Sequence, residues 1–401
     1  MEERSVNQIE QKHINSRLVK KQLYINSPIS RVEIARNLEL TTPAVGAIVA
    51  PLLAQGLVRE RRDPTPQVSA GRPRVMLEFV PDAYCVCGVD LGPYYTNFVL
   101  TDFSGKILAR RRMDAPLDEY SATMERLRRE IPAFLSEFAA GQEVLGVGIA
   151  LPGLISGHEG KIYTTFHDGW TEHAVVQELS DFLGLPVYIE NNVRAKVIAA
   201  EIFGRMVKEE PFAYLSVYYG IACQMIVGDR VLYGDKAAAG EIGHMVVERG
   251  GAVCPTCGNH GCLEAVAGER AILGECRALM RSSPDCALWR YCGDPDGLTM
   301  EAVLQAQSDG DDGVNTIMDN VIDYLGIALA NVINLISPRM VVVDGRIFQL
   351  EANRHRLMTA AERNMFLVHR MKTRVSFLPY DPDRGALGGA AVVIREFLYN
   401  G

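Results

Sequence analysis

Three cysteines packed into nine residues constrain this chain more than any other feature of its sequence. They are Cys254, Cys257 and Cys262, with glycines between them that permit a tight turn. One imidazole added to three thiolates gives the closed ligand set of structural zinc, and both His244 and His260 lie near enough along the chain to supply it. The alternative is a set of ordinary buried thiols. The nine cysteines are odd in number and unevenly placed, which favours a metal cluster in a reducing compartment over a disulfide framework.

Length and composition indicate a multidomain globular chain. At 401 residues, with 48% hydrophobic and 22% charged residues, the chain has enough apolar material for two or three cores, which excludes a disordered or fibrous protein. No uninterrupted apolar run approaches the ~20 residues of a membrane helix, and the N-terminus has no apolar signal segment. We expect a cytoplasmic protein that does not associate with a membrane.

Charge separates a basic N-terminal segment from an acidic remainder. Residues 1–80 hold 12 Lys and Arg against 8 Asp and Glu, whereas the other residues hold 29 against 41. Such asymmetry prompts a search for a nucleic-acid-binding module. Ser30 and Glu33 have the spacing of a helix capping box, Thr41 is suited to cap the next helix, and two strand-like stretches follow near 57–62 and 74–79. Helices joined by a short turn and followed by a basic ribbon predict a winged helix-turn-helix that binds double-stranded operator DNA.

The DNA-contacting residues of this module are predicted from their types. Phosphate contacts fall to the basic residues, namely Lys20, Lys21, Arg36, Arg59, Arg61, Arg62 and, along the wing, Arg72 and Arg74. The second motif helix contains no Arg, Lys or Asn, so base contacts fall to Thr41 and Thr42 and to apolar contact of Pro43 or Ala44 with a thymine methyl. Pro51 lies inside that helix and is expected to kink or shorten it. The alternative function of the module is protein interaction or dimerisation.

From Cys85 onwards, short apolar strands alternate with helices, which is typical of α/β architecture. Three consecutive strands before a long helix predict a mixed sheet rather than an all-parallel one. The predicted strands are Cys85–Leu91, Asn97–Asp102, Ile107–Arg112, Val144–Ala150, Val187–Glu190, Ala213–Tyr218, Cys223–Val227 and Met340–Val343. The predicted helices lie near Glu119–Ala139, His173–Leu183, Val193–Phe203, Val314–Ile336 and Ala386–Phe397.

Three motifs in this part resemble those of the ROK family of repressors, open reading frames and kinases. They are G-V-D-L-G at 88–92, E-N-N at 190–192, and A-G-E-I-G-H at 239–244 followed by C-G-N-H-G-C-L-E at 257–264. The sequence A-L-P-G-L-I at 150–155 and the winged helix extend the resemblance over nearly the whole chain. The branch it resembles contains the xylose and N-acetylglucosamine repressors.

The resemblance implies a winged helix followed by a two-lobed, actin-like sugar-kinase fold with a ligand cleft between the lobes. The domains would be a DNA-binding segment with its wing and linker at 1–80, a small α/β lobe at 84–190 plus 385–401, and a large α/β lobe with the zinc motif at 191–384. Sugar-contacting residues would be Gly153, Asn191, Asn192, Glu241, His244 and Glu264. Structural zinc would be held by His244, Cys254, Cys257 and Cys262, although the family usually has one residue, not two, between its first two cysteines. A homodimer or higher homo-oligomer is also implied.

The residues that catalysis requires depart from the kinase pattern. The kinases of the family place an Asp base where this chain has Asn192, and a carboxamide cannot accept the proton of a sugar hydroxyl. Both glycine-rich nucleotide loops are altered, to Gly92-Pro93-Tyr94-Tyr95 and to Tyr218-Tyr219-Gly220, which hinders backbone amides from approaching phosphate.

The residues expected to contact a sugar remain, and Trp170 or Tyr163 could stack on the sugar's apolar face. The alternative for Trp170 is ordinary packing in the core. The sequence therefore predicts a sugar-responsive repressor of carbohydrate-utilisation genes that is not an enzyme. The alternatives are an active ATP-dependent sugar kinase, a repressor controlled by a protein partner or a non-sugar ligand, and an interaction scaffold.

Overall fold

The computed structural model describes residues 8–62, 74–165, 169–171, 173–204, 212–227, 230–366 and 373–399. The chain forms two compact units. The first comprises Met1–Gly204 together with Asp383–Gly401, and the second comprises Arg205–Pro382. The three-part division inferred from the sequence stays a prediction.

The first unit begins with a small helical module. Its elements are α1 (Gln8–Asn26), β1 (Ile29–Ser30), α2 (Arg31–Asn37), α3 (Thr42–Ala54), β2 (Val58–Arg62) and β3 (Val75–Phe79). The strands form an antiparallel sheet in the order β1-β3-β2, which is the arrangement of a winged helix. Ser30 and Glu33 form the predicted capping box, and Thr41 accepts a hydrogen bond from the Ala44 amide at the start of α3. The helix continues past Pro51 to Ala54, so the proline does not end it.

A mixed five-stranded sheet follows in the same unit. The elements are β4 (Cys85–Leu91), β5 (Thr96–Thr101), β6 (Ile107–Met113), α4 (Tyr120–Phe138), β7 (Val144–Leu151), the hairpin β8 (Leu154–Ser156) and β9 (Lys161–Thr164), α5 (Val175–Leu183), β10 (Val187–Asn191) and α6 (Asn192–Ile202). The strand order is β10-β7-β4-β5-β6. The strands β10, β7 and β4 are parallel, whereas β5 pairs antiparallel with both β4 and β6. The sheet is therefore mixed, as the strand order in the sequence predicted.

The second unit is built on another five-stranded sheet. Its elements are β11 (Phe212–Val217), β12 (Ile221–Val227), β13 (Arg230–Val231), α7 (Leu263–Ala267), α8 (Glu269–Ser282), α9 (Met300–Ser308), α10 (Asp312–Ile336), β14 (Met340–Asp344), α11 (Glu351–Asn364) and β15 (Arg374–Phe377), with the strand order β13-β12-β11-β14-β15. Within the described ranges, α10 alone has the length and apolar composition to cross a membrane. Its inward face belongs to the hydrophobic core of this unit, which is the ordinary position of such a helix in a globular protein.

The last helix, α12 (Arg384–Tyr399), returns to the first unit. It packs unusually close to the sheet, because a Cβ atom added at Gly88 would lie 2.0 Å from the Ala386 carbonyl oxygen and one added at Gly148 would lie 1.9 Å from the Gly389 carbonyl oxygen. Residues of α12 share one hydrophobic core with α1, including Val19 and Leu23. The winged helix and the α/β part of this unit are therefore joined by a continuous apolar interior.

Candidate metal, ligand and DNA-contacting residues

One cluster of metal-ligating side chains stands out in the second unit. Ligand atoms of His244, Cys254, Cys257 and Cys262 all lie within 4.8 Å of one another. The His244 Nδ1 atom is 3.7 Å from the Cys254 sulfur, and the sulfurs of Cys257 and Cys262 are 3.6 Å apart. Tetrahedral zinc would separate its sulfur and nitrogen ligands by about 3.6 to 3.8 Å. The four side chains can therefore hold a metal ion of this geometry.

The backbone of the cysteine loop explains how the thiols converge. The Cys254 amide donates to the Asn259 carbonyl at 2.7 Å, and the Gly258 amide donates back to the Cys254 carbonyl at 2.9 Å. Gly261 has a φ of +73°, and a Cβ atom there would lie 1.7 Å from the Glu248 carbonyl oxygen. The tight turn thus depends on glycine, and it brings Cys254 into the cluster despite the two-residue gap before Cys257.

The same loop separates the two candidate histidines. His260 is exposed, and its Nδ1 atom lies 3.1 Å from the Gly251 carbonyl oxygen. His244, in contrast, lies with the three thiols. Burial and the neighbouring thiols raise the pKa of Cys262 to about 12. A bound dication is the type of group that would stabilise three thiolates at this position.

Glu264 follows the cluster directly and lies in the first turn of α7. Its Oε1 atom accepts a hydrogen bond of 2.5 Å from the Thr256 hydroxyl in the cysteine loop. A concave pocket of about 210 Å³ adjoins it, lined by Tyr219, Val253, Pro255, Thr256, Glu264, Ala265, Arg270 and Ala271. Glu241 precedes the short helical turn Ile242–His244 of the same unit, so that one end of this turn carries an acid and the other a metal-cluster histidine.

The E-N-N motif lies at the junction of β10 and α6 in the first unit. The Asn191 side chain caps α6 by accepting from the amides of Val193 and Arg194, and its Nδ2 atom donates to the Gly153 carbonyl at 2.9 Å. Gly153 has a φ of +122° and no room for a Cβ atom, which would lie 2.1 Å from the Thr164 carbonyl oxygen. Asn191 and Gly153 are thus brought together. Asn192, half-buried at the start of α6, makes no side-chain hydrogen bond to the part of the chain that the structure describes.

A buried charge network joins the glutamate of this motif to Arg194 and Arg395, two residues that the sequence analysis did not single out. Glu190 and Arg194 are both fully buried, and the Arg194 Nε atom donates to Glu190 Oε1 at 2.9 Å. Arg194 also donates to the Ile155 carbonyl, and the Arg395 guanidinium of α12 lies 3.6 Å from Glu190 Oε2. The four-residue spacing of Glu190 and Arg194 is the one signal in the sequence that indicates part of this network.

The two loops that depart from the kinase pattern lie beside acids in different surroundings. Burial raises the pKa of Asp90, at the end of β4, to about 6, and Lys196 opposes this shift. Asp344, at the end of β14, is fully buried and accepts hydrogen bonds of 2.7 Å from the hydroxyls of both Tyr214 and Tyr218. In the first altered loop, the Gly92 amide donates to the Tyr95 carbonyl at 3.1 Å, so this amide is used within the loop.

Two aromatic residues were predicted as sugar-stacking platforms. Trp170 is only 1% exposed, packs edge-on against Tyr120 and donates its indole N–H to the Asp118 carbonyl at 3.0 Å. The stacking prediction is therefore wrong for Trp170, which is a core residue. Tyr163 is half-buried, and its hydroxyl donates to Glu159 at 2.8 Å.

On the winged helix, the predicted DNA-contacting residues differ in their availability. Thr41, Thr42, Arg36, Arg61 and Arg62 are exposed and Ala44 is half-buried. Arg59 is ion-paired with Glu78 at 2.9 Å, and Arg74 lies 4.0 Å from Glu33. Arg72 lies outside the described residues.

Two of the lysines of α1, Lys20 and Lys21, lie against α12. Lys20 is only 8% exposed, and its ammonium donates to the Phe397 carbonyl at 3.1 Å. Lys21 is half-buried, with its ammonium 5.6 Å from the centre of the Tyr399 ring. The predicted phosphate contact is therefore wrong for Lys20, because its charge faces the interior of the first unit.

Comparisons with known proteins agree with this architecture. The family model described as "ROK family" matches residues 86–396. The chain is 28% identical over 395 residues to the xylose repressor of Caldicellulosiruptor bescii, covering 96% of this chain and 97% of that protein. It is also similar to the crystal structure of a ROK family transcriptional regulator, a homolog of the E. coli MLC protein, with a TM-score of 0.83, 26% identity and 97% of each chain covered.

A ROK family glucokinase from Streptomyces griseus, in complex with glucose and AMPPNP, shares the fold with a TM-score of 0.65 and 21% identity. The match covers 76% of this chain but 98% of the kinase. These matches confirm the predicted α/β fold class, with a winged helix followed by an actin-like domain.

Proposed function

This chain belongs to the ROK family, and we propose that it is a sugar-responsive, DNA-binding repressor of carbohydrate-utilisation genes. The observation that carries this function is the extent of the similarity. The regulator structure and this chain cover 97% of each other, so the winged helix is part of the shared architecture. In the glucokinase comparison, by contrast, about a quarter of this chain has no counterpart.

The proposed regulator does not catalyse phosphoryl transfer. Asn192 cannot act as a base, and in the second unit the Tyr218 hydroxyl is bonded to the Asp344 carboxylate at the end of a strand where a kinase would accommodate phosphate. A buried carboxylate repels phosphate oxygens, and a tyrosine ring restricts the approach of a phosphate to backbone amides. These two features support a binding function without turnover.

The proposed sugar contacts come from Gly153, Asn191 and Asn192 of the first unit and from Glu241, His244 and Glu264 of the second. Carboxylates and carboxamides offer the acceptors and donors that a polyhydroxylated ligand requires. Zinc held by His244, Cys254, Cys257 and Cys262 would have a structural function. It would fix the loop from which Thr256 contacts Glu264 and would hold the His244 ring in one orientation.

The proposed DNA contacts are those of the winged helix. Thr41, Thr42 and Ala44 would face the bases, and Arg36, Arg59, Arg61, Arg62, Arg72 and Arg74 would contact phosphates. We propose that the chain is a cytoplasmic protein and that it acts as a homodimer. Two winged helices on two half-sites supply the affinity that a recognition helix without Arg, Lys or Asn cannot supply alone. Sugar controls DNA binding only if it binds the two conformations of the protein with different affinities.

Fluorescence anisotropy with DNA from upstream of the gene itself tests this function. We expect salt-dependent binding that D-xylose or N-acetylglucosamine changes at least about fivefold. Glu264→Ala should lose the sugar response and retain DNA binding. Glu351→Ala is the matched control, since Glu351 is an exposed glutamate in the first turn of another helix of the same unit. If no sugar in a panel changes binding and Glu264→Ala behaves as wild type, the repressor responds to a partner or a non-sugar ligand instead.

An active sugar kinase is the second candidate, favoured by the fold shared with the glucokinase and by the retained Asp90. It predicts ADP formation from ATP and a hexose. We expect no ADP above background from the wild-type chain across a sugar panel. Sugar-dependent turnover by the wild type would contradict the proposed function, and an Asn192→Asp variant shows whether restoring the base alone is sufficient.

A further inference from the structure

The terminal helix α12 contacts both parts of the first unit that the proposed function uses. Near its N-terminus, a Cβ atom added at Gly385 would lie 2.2 Å from Asp90 Oδ2, so the helix begins against the polar end of β4. Near its C-terminus it contacts α1 of the winged helix. Between these ends, α12 packs against α6, because a Cβ atom added at Gly388 would lie 2.7 Å from the Ala195 carbonyl carbon.

On the ligand side, a single buried carboxylate connects the E-N-N motif with α12. Glu190 Oε1 accepts from the Asn191 amide at 2.9 Å, and Glu190 Oε2 faces the Arg395 guanidinium at 3.6 Å. Glu190 is fully buried and the Arg395 side chain is 13% exposed. Glu190 also pairs with Arg194 of α6 at 2.9 Å, and Arg395 also pairs with Glu396 at 3.2 Å. The Glu190 carboxylate therefore belongs to one buried network that joins the E-N-N motif to both α6 and α12.

On the DNA side, a second buried charge connects α12 with α1 of the winged helix. The contact on α12 is Phe397, two residues after Arg395. The Lys20 ammonium of α1 donates to the Phe397 carbonyl at 3.1 Å and lies 4.8 Å from the centre of the Phe397 ring. An aromatic cluster surrounds this contact: Phe103 packs edge-on against Phe397 at 5.5 Å and against Phe79 of the winged helix at 5.3 Å. Burial lowers the pKa of Lys20, as expected for an ammonium removed from water.

We propose that Arg395 and Lys20 are positioning residues that transmit sugar binding at the E-N-N motif to the winged helix through α12. The inference rests on the proposed function. A sugar that bonds Asn191 or Asn192 moves the junction of β10 and α6, Glu190 moves α12 through Arg395, and Phe397 moves α1 through Lys20. Neither positioning residue contacts the sugar or the DNA, so each acts on the coupling between the two ligands and not on either affinity alone.

The experiment measures three quantities for the full-length chain: the Kd for D-xylose or N-acetylglucosamine, the Kd for upstream DNA, and the ratio of DNA Kd values with and without saturating sugar. For Arg395→Met and Lys20→Met we expect both separate affinities within about threefold of wild type and a ratio reduced from at least about fivefold to below about twofold. Arg395→Lys, which keeps the charge, should restore much of the ratio. The double variant should lose no more than either single variant, since both act on one route.

Arg128→Met is the matched control, because Arg128 pairs with Glu178 in the same unit at 3.1 Å and does not belong to this route. Lys20→Met keeps the proposal testable if Arg395→Met fails to fold, since methionine fills a similar buried volume without a charge. A ratio in both variants equal to that of wild type overturns the proposal while the proposed function stands. The absence of any sugar effect in the wild type overturns both.

Discussion

The two units hold their proposed sugar-contacting residues by different means. In the first unit, Asn191 lies at the junction of a strand and a helix, and three main-chain groups fix its side chain. In the second unit, Glu264 and His244 depend on a loop in which four metal-ligating side chains converge. Regular elements position the first set, whereas the loop of the second set carries four ligand atoms that could hold a metal ion, and we expect such an ion to keep the loop closed.

Removal of a metal ligand should have the largest effect. We expect Cys262→Ala to lower the zinc content of freshly purified protein to well under one ion per chain and to weaken sugar binding at least about 100-fold. Metal analysis and calorimetry measure the two quantities. Cys276→Ala is the control, because Cys276 is another buried thiol of the same unit and should keep full zinc content. Undiminished sugar binding in zinc-free protein would show that the residues of the second unit, like those of the first, are positioned without a metal ion.

The sequence predicted the cluster but not the geometry that closes it. Ligand types and spacing identify three cysteines, but only the backbone turn with its left-handed Gly261 shows that the two-residue gap before Cys257 still closes the set. The choice between His244 and His260 depended on family resemblance for the same reason, since the orientation of an imidazole follows from the folded loop.

Helices and strands could be predicted where the local pattern of apolar residues was long enough to identify them. The strand β4 has the predicted bounds, because its apolar run is buried along nearly its whole length. The hairpin of β8 and β9 was missed, since its strands have only three and four residues. Lys20 was assigned to DNA because basic residues are usually exposed, whereas its partner Phe397 lies 377 positions away along the chain. Contacts at that separation leave no local pattern in the sequence.

A substitution at Asp90 tests whether this acid at the end of β4 lowers the free energy of unfolding of the first unit at neutral pH. Its pKa of about 6 exceeds the ordinary 3.8, so the folded state binds an extra proton between these values and loses stability as the pH rises from about 4 to 7. We expect Asp90→Asn to remove about 3 kcal/mol of this pH dependence from the unfolding of the first unit. Denaturant unfolding at several pH values measures it. The exposed control Asp181→Asn should behave as wild type, and an Asp90→Asn variant with the pH dependence of the wild type would show that the pKa of Asp90 is not raised.

A substitution at Asn191 tests the proposed sugar-contacting residues of the first unit. Asn191→Ala removes the cap of α6 and the bond to the Gly153 carbonyl, so we expect the free energy of unfolding to fall by about 2 kcal/mol together with the loss of sugar binding. Thr299→Ala removes the N-cap of α9 in the second unit and should lower stability by about 1 kcal/mol without changing sugar affinity. Unfolding and calorimetry on both variants separate capping from ligand contact. Normal sugar affinity in a folded Asn191→Ala protein would assign the motif to structure alone.

A substitution at Thr256 separates the contribution of the cysteine loop to sugar binding from that of the metal. We expect its effect to be the smallest of the four. Its hydroxyl donates to Glu264 Oε1 from an exposed position, so Thr256→Val keeps the shape of the side chain and removes one hydrogen bond to a charged group. We expect about 1 kcal/mol, or about fivefold, in sugar affinity and an unchanged zinc content. Calorimetry on zinc-loaded protein measures this difference. If Thr256→Val binds sugar as wild type while Cys262→Ala does not, the metal positions Glu264 through the start of α7 and not through the threonine, because Cys262 immediately precedes that helix.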